Sequence, residues 1–170
     1  LEVHDAETGA VTQRIGVGEL VCAAFSADGK RVAAGLRDGK LDVYDVATSK
    51  VVYHAEGDSI SSCAFSPDGQ RVALGSWDGA GTLHNLAKKG AAARFEGHSG
   101  RIYSIEFAPD GRHVLTGSID GTTRVWDAAT GQEQLALGGR EAAQVIAERI
   151  DHGVEPLVGH RLALVASPQE

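Results

Sequence analysis

Long hydrophobic runs are missing from this chain of 170 residues. Its uninterrupted apolar stretches run only a few residues, such as VCAAF at 21–25, far below the roughly 20 residues a helical membrane span requires, so no such span is expected. The opening residues do not read as a signal peptide, and none is expected. It starts at Leu1, without Met and already inside a strand-like segment, and a fragment of a longer protein is expected. Cysteine is scarce: Cys22 and Cys63 lie in apolar runs without CxxC spacing, too few for a disulfide framework, which implies a reduced, cytoplasmic setting. Basic residues are outnumbered, 16 against 23 acidic, for a net charge of −7. No block of Lys or Arg forms the patch that phosphate backbones demand, so nucleic acid is not an expected partner, whereas a basic protein is compatible with this charge.

Chemical motifs are equally thin. GVGELV at 16–21 and GAGTLH at 79–84 lack the third Gly and the following helix of a dinucleotide site. There is no P-loop and no HExxH. His4, His54, His84, His98, His113, His152 and His160 are scattered without zinc-ligand spacing, so neither a metal nor a cofactor is expected.

What the chain does have is repetition. AAFSADGKRVAAGLRDGKLDVYDVATS (23–49), CAFSPDGQRVALGSWDGAGTLHNLAKK (63–89) and IEFAPDGRHVLTGSIDGTTRVWDAATG (105–131) align. Phe25, Phe65 and Phe107 are spaced by 40 and 42 residues, as are the Asp-Gly pairs starting at Asp38, Asp78 and Asp120. LEVHDAETG adds a partial copy, with Val3 and Asp5 one step of 40 before Val43 and Asp45. Inside each unit, alternating apolar runs such as IYSIEF, RHVLTGS and TTRVWD are divided by Asp-Gly turns, the pattern of β-hairpins. The period, four runs per unit and a Trp-Asp pair closing the third run resemble the WD40 repeat. The likeness covers 1 to about 137 and is fullest in the last unit, where GH, PDG, GSxDG and VWD occur in order.

The resemblance implies an all-β fold, a segment of a β-propeller with one four-stranded blade per repeat. The expected layout is a half blade at 1–15, then blades at 20–55, 60–96 and 101–137. Phe25, Phe65 and Phe107, with Val43, Leu83 and Val125, are expected to pack between blades. The remaining 138–170 depart from the pattern, with a short helix expected at 140–150 and a strand at 161–167. Either the chain is part of a larger, seven-bladed propeller, or this tail joins the half blade to close a four-bladed ring.

His98, Ser118 and Asp120 fall within one short span, which raises a catalytic triad. A triad should occur once, with an exposed nucleophile beside an oxyanion site, whereas a structural device should recur. The Asp recurs as Asp38 and Asp78 while the other members drop out: the second unit has Glu56, Ser76 and His84, the first Gly16, Gly35 and Tyr44. The family likeness implies that His98, Ser118, Asp120 and Trp126 form a buried hydrogen-bonded tetrad, and that no catalysis occurs there.

The same likeness implies that partners bind the top face. Carried over by position, that face holds Arg37, Trp77 and Ile119 from the turns, and Glu19 with Val21, Ser59 with Ser61 and Arg101 with Tyr103 at the starts of the inner strands. Trp77 is the leading candidate, because Trp, Tyr and Arg dominate interface hot spots; packing on the neighbouring blade is its alternative. The expected function is a non-catalytic scaffold that binds other proteins or peptides, without membrane or nucleic acid. The alternative is the regulatory or ligand-sensing propeller of a larger enzyme or signalling protein.

Overall fold

A computed structural model describes residues 1–57, 59–88 and 90–138. The expected helix at 140–150, the strand at 161–167 and ring closure by the tail lie outside the described residues. Alternating apolar positions and Asp-Gly turns fold into strands throughout, and the described residues contain no helix. β1 (Glu2–His4) and β2 (Val11–Arg14) form a half sheet. A first sheet follows from β3 (Leu20–Phe25), β4 (Arg31–Leu36), β5 (Lys40–Asp45) and β6 (Val51–Glu56). The second is β7 (Ile60–Phe65), β8 (Arg71–Ser76), β9 (Gly81–Asn85) and β10 (Ala91–Phe95). The third is β11 (Ile102–Phe107), β12 (His113–Ser118), β13 (Thr122–Asp127) and β14 (Glu133–Gly138). All neighbours are antiparallel and consecutive in sequence, so each sheet is a simple meander.

The turns show why Asp recurs. At the β4–β5, β8–β9 and β12–β13 turns, Asp38, Asp78 and Asp120 each accept the backbone N–H two residues on, at 3.2, 3.0 and 2.9 Å. This is an Asx turn, which closes locally whatever the rest of the sheet contains. Gly79 follows with φ of 90°, and a Cβ there would lie 2.6 Å from the His98 carbonyl oxygen. The Asp ending the third strand plays a parallel part, since Asp5, Asp45 and Asp127 each accept the N–H of the Thr three residues later at 2.8 Å.

The core lies between sheets. Val3, Ile15, Val32 and Tyr44 join the half sheet to the first. Ala33, Val43, Ile60 and Val72 join the first to the second, with the half-buried free thiols of Cys22 and Cys63 against them. Leu83, Phe95, Val114 and Trp126 join the second to the third. β4 and β8 are buried almost throughout, because both their faces meet a neighbouring sheet. Small residues there permit close approach: a Cβ on Gly75 would come 2.6 Å from Ile102 of the next sheet. Polar clamps reinforce the stack, with Arg31 Nη1 donating to the Gly69 carbonyl at 3.3 Å and Arg71 Nη2 to that of Gly111 at 2.6 Å. Each fully buried Val or Leu contributes roughly 1.5–3 kcal/mol, against about 0–1 for exposed ion pairs such as Arg14 with Glu2, so apolar contact between sheets dominates.

One core expectation fails. Val43, Leu83 and Val125 are buried at 0%, 1% and 2%, and Phe65 and Phe107 pack on the cores towards their preceding sheets. Phe25, however, is 51% exposed. The sheet before it has two strands rather than four, so no inner strands cover the ring.

Candidate functional site

Of the three residues that suggest a triad, the fold joins His98 to Asp120 and leaves the Ser118 hydroxyl without a bond to the imidazole. His98 Nδ1 lies 2.9 Å from Asp120 Oδ2, so an Nδ1–H donates to the carboxylate. His98 Nε2 then faces the Thr116 hydroxyl at 2.7 Å, and that same oxygen accepts the Trp126 Nε1–H at 2.7 Å. Every polar atom in the chain Trp126, Thr116, His98, Asp120 has a partner, as a buried network requires. Trp126 is 1% and Thr116 1% exposed, and the His98 and Asp120 side chains are 0% and 6% exposed.

Contrary to the expected tetrad, Ser118 is not the link between His98 and Trp126; Thr116 is. Its hydroxyl donates to the Gly100 carbonyl at 2.7 Å and accepts the Asp120 N–H at 3.1 Å. Thr116, Ser118 and Val114 share one face of β12, and Val114 is paired with Trp126; Thr116 is one step along that face, whereas Ser118 has reached the turn. A buried serine bonded to a backbone carbonyl, with no hydrogen bond to the imidazole, has neither the base nor the exposure of a nucleophile. Thr122 is a further member that the sequence reading missed: its hydroxyl donates to Asp120 Oδ1 at 2.6 Å and lies 3.1 Å from His98 Nδ1. Burial pushes the Asp120 carboxyl up, but hydrogen bonds from Thr122, His98 and the Ser99 backbone outweigh it and hold it far below the ordinary carboxylate range.

The other sheets lack this chain. β-register places Ala34 and Leu74 where Thr116 stands, and Leu36, not Gly35, where Ser76 and Ser118 stand. His84 occupies the Trp position of the second sheet and is 3% exposed. Tyr53 reaches it from the first sheet, with its hydroxyl 3.1 Å from Nδ1, and Thr82 Oγ1 lies 3.3 Å from Nε2. Burial pushes the His84 pKa down.

Four-stranded meanders stacked face to face, with a Trp–Thr–His–Asp chain in the best-formed unit, agree with the comparison to known families. The model described as WD domain, G-beta repeat matches residues 14–45, 48–80 and 91–127. The chain belongs to the WD40 family. Each match begins near the outer strand of one blade and runs into the inner strands of the next, so the WD40 repeat straddles the sheets and laces neighbouring blades together. No curated protein matches the chain.

In a WD40 blade the residue inside the second turn stands beside the start of the inner strand, and here one bond repeats in all three blades. Arg37 N–H donates to the Glu19 carbonyl at 2.8 Å, Trp77 N–H to Ser59 at 3.0 Å and Ile119 N–H to Arg101 at 3.0 Å. The side chains diverge. Arg37 pairs with Glu19 at 2.8 Å, both more than three-quarters exposed. Ser61 is turned inward and donates to the Ile102 carbonyl, whereas Val21 stays exposed at 36%. Trp77 is 54% exposed, and the Arg101 guanidinium of the next blade lies over its ring, 3.6 Å from the centroid. One face of Trp77 therefore packs on the neighbouring blade and the other meets solvent. Ile119 is 68% and Tyr103 56% exposed; the Tyr103 ring leans over Gly117, where a Cβ would meet it at 3.1 Å. Among the described residues no three His, Cys, Asp or Glu side chains gather in a metal-ligating group.

Proposed function

We propose that this WD40 segment is a non-catalytic interaction scaffold that engages a partner protein through the shelf formed by Trp77, Arg101 and Ile119, with Tyr103 beside it. WD40 repeats suggest a protein-interaction propeller domain; the finer assignment to this shelf rests on the Trp77–Arg101 stack. A half-exposed indole whose inner face is already fixed by a guanidinium loses little side-chain freedom on binding, and such aromatic and Arg anchors carry most interface energy. Arg37, Glu19 and Ser59 form the outlying part of the same face and contribute mainly to steering. A cytoplasmic setting belongs to this reading, since both thiols are free.

The test is comparative capture from cell extract by the wild-type chain, Trp77→Ala, Arg101→Glu and the remote control Arg14→Ala, each checked for an unchanged circular dichroism spectrum. Proteins kept by the wild type and the control but lost by both shelf variants are expected. An identical set of proteins on all four would refute the assignment.

A further inference from the structure

Two nucleophilic side chains take no part in the buried network or the shelf, and the stacking of sheets brings them together. Cys22 lies on β3 and Cys63 on β7, strands of neighbouring sheets that run against one another, and both pack on the core that joins those sheets. Gly35 makes the room. It pairs with Cys22 in the ladder, and a Cβ there would lie 2.6 Å from Cys22 Sγ and 2.7 Å from Ile60 Cγ2 of the second sheet. The missing side chain therefore lets the Cys22 sulfur reach the neighbouring sheet. There the two sulfurs meet: each accepts the Gly35 backbone N–H, and the Cys63 S–H donates to the Cys22 sulfur. That bond, helped by the Gly35 N–H and opposed by burial, holds the Cys22 thiol below its ordinary range. The same bond, with burial and the charge on Cys22, pushes the Cys63 thiol up. One repeat step on, Ser62 and Ile105 stand in the places of Cys22 and Cys63, so the pair belongs to this contact alone among the described sheets. Both thiols are half-buried rather than sealed, open to a small oxidant.

We propose that Cys22 and Cys63 form a reversible oxidation site, closed by a hydroperoxide to a disulfide between the first and second blades and reopened by a dithiol reductant. Cys22 is the attacking sulfur and Cys63 the resolving one. The Cys22 thiolate attacks a peroxide oxygen, the O–O bond breaks, and the departing hydroxide takes a proton to leave as water, with Cys22 now a sulfenic acid. The Cys63 sulfur then attacks the Cys22 sulfur, its proton passing to the departing hydroxyl, and a second water leaves as the S–S bond forms. Two thiols have lost two electrons and two protons, and hydrogen peroxide has taken them up. No residue of the Trp77 shelf takes part, so this site is additional to the surface proposed above.

The probe is hydrogen peroxide in slight excess over the folded chain, followed by alkylation with N-ethylmaleimide and mass spectrometry of the intact and digested protein. A monomer lighter by two hydrogens, unalkylated, with the Cys22 and Cys63 peptides linked, is expected, and dithiothreitol should restore both thiols. The thermal midpoint of the oxidised form should rise by roughly 5–10 °C, because the bond joins strands already in contact. Serine variants separate the roles: after peroxide, dimedone should trap a sulfenic acid on Cys22 in Cys63→Ser and label Cys22→Ser far less. Two alkylated thiols after peroxide, sulfinic acids in place of the disulfide, linked dimers, or a midpoint that fails to rise would overturn the proposal. Equal dimedone labelling of the two variants would overturn the assignment of attacking and resolving sulfur.

Discussion

Thr116→Val isolates the hydrogen-bonded chain in the third blade from its packing. Valine matches threonine in shape, so the substitution opens no cavity, but it deletes the oxygen that accepts the Trp126 Nε1–H and faces His98 Nε2, both at 2.7 Å. The indole N–H and the imidazole nitrogen stay buried without partners, a penalty of roughly 1–3 kcal/mol per group that water cannot relieve. Burial of the new methyl returns about 0.8 kcal/mol. The net expectation is a loss of about 1–5 kcal/mol. Ser118→Ala breaks one bond to a backbone carbonyl and one from a turn N–H and should cost about 1–2 kcal/mol. Urea unfolding followed by Trp126 fluorescence in a Trp77→Phe background measures both, with comparison restricted to variants of equal m-value. A Thr116→Val loss below about 0.5 kcal/mol, or smaller than that of Ser118→Ala, would show that the network does not run through Thr116.

Trp126→Ala, which removes the fluorophore and is followed instead by urea unfolding monitored by circular dichroism, should cost about 3–5 kcal/mol, because it empties a fully buried site against Phe95 as well as breaking the network; a smaller loss than Thr116→Val would contradict this. Removing Arg71 takes away the 2.6 Å bond to Gly111 and the contact of its guanidinium with the Phe107 ring at 5.3 Å, and Arg71→Ala should lose about 1–3 kcal/mol. Arg14→Ala, at a side chain 75% exposed, should change little. His84 contributes a pH dependence whose sign follows from burial: its folded pKa lies below the ordinary 6.5, so below that pH the unfolded chain binds the extra proton and stability falls as pH drops. Chemical denaturation between pH 7.5 and 5 should show that slope reduced in His84→Gln, and an unchanged slope would count against a buried neutral imidazole.

Much of the architecture was legible because it is written locally. Period-two alternation and Asp-Gly turns mark strands and hairpins within a few residues, and a period of about 40 marks one sheet per unit, so neither needs distant contacts to be recognised. The recurrence of Asp38, Asp78 and Asp120 was also visible, although its cause is the Asx turn common to all three sheets and not the tetrad, which Asp120 alone completes among the described residues. Phe25 shows the limit of copying one unit onto another: the same residue in the same strand is exposed because its neighbouring sheet has different content.

What only the tertiary structure decided are relations between side chains brought together across strands and sheets. Thr116 and Ser118 are two residues apart on one face, and strand pairing alone settles which of them stands between His98 and Trp126. Arg101 becomes the stacking partner of Trp77, and Cys63 the hydrogen-bond partner of Cys22, because adjacent sheets set these residues face to face. The sequence by itself determined the strands, the turns and the repeat, since hydrogen bonding and turn conformation act between near neighbours. The buried network, the exposed shelf and the thiol pair depend on how one sheet's surface fits the next, and that fit exists only once the sheets are stacked.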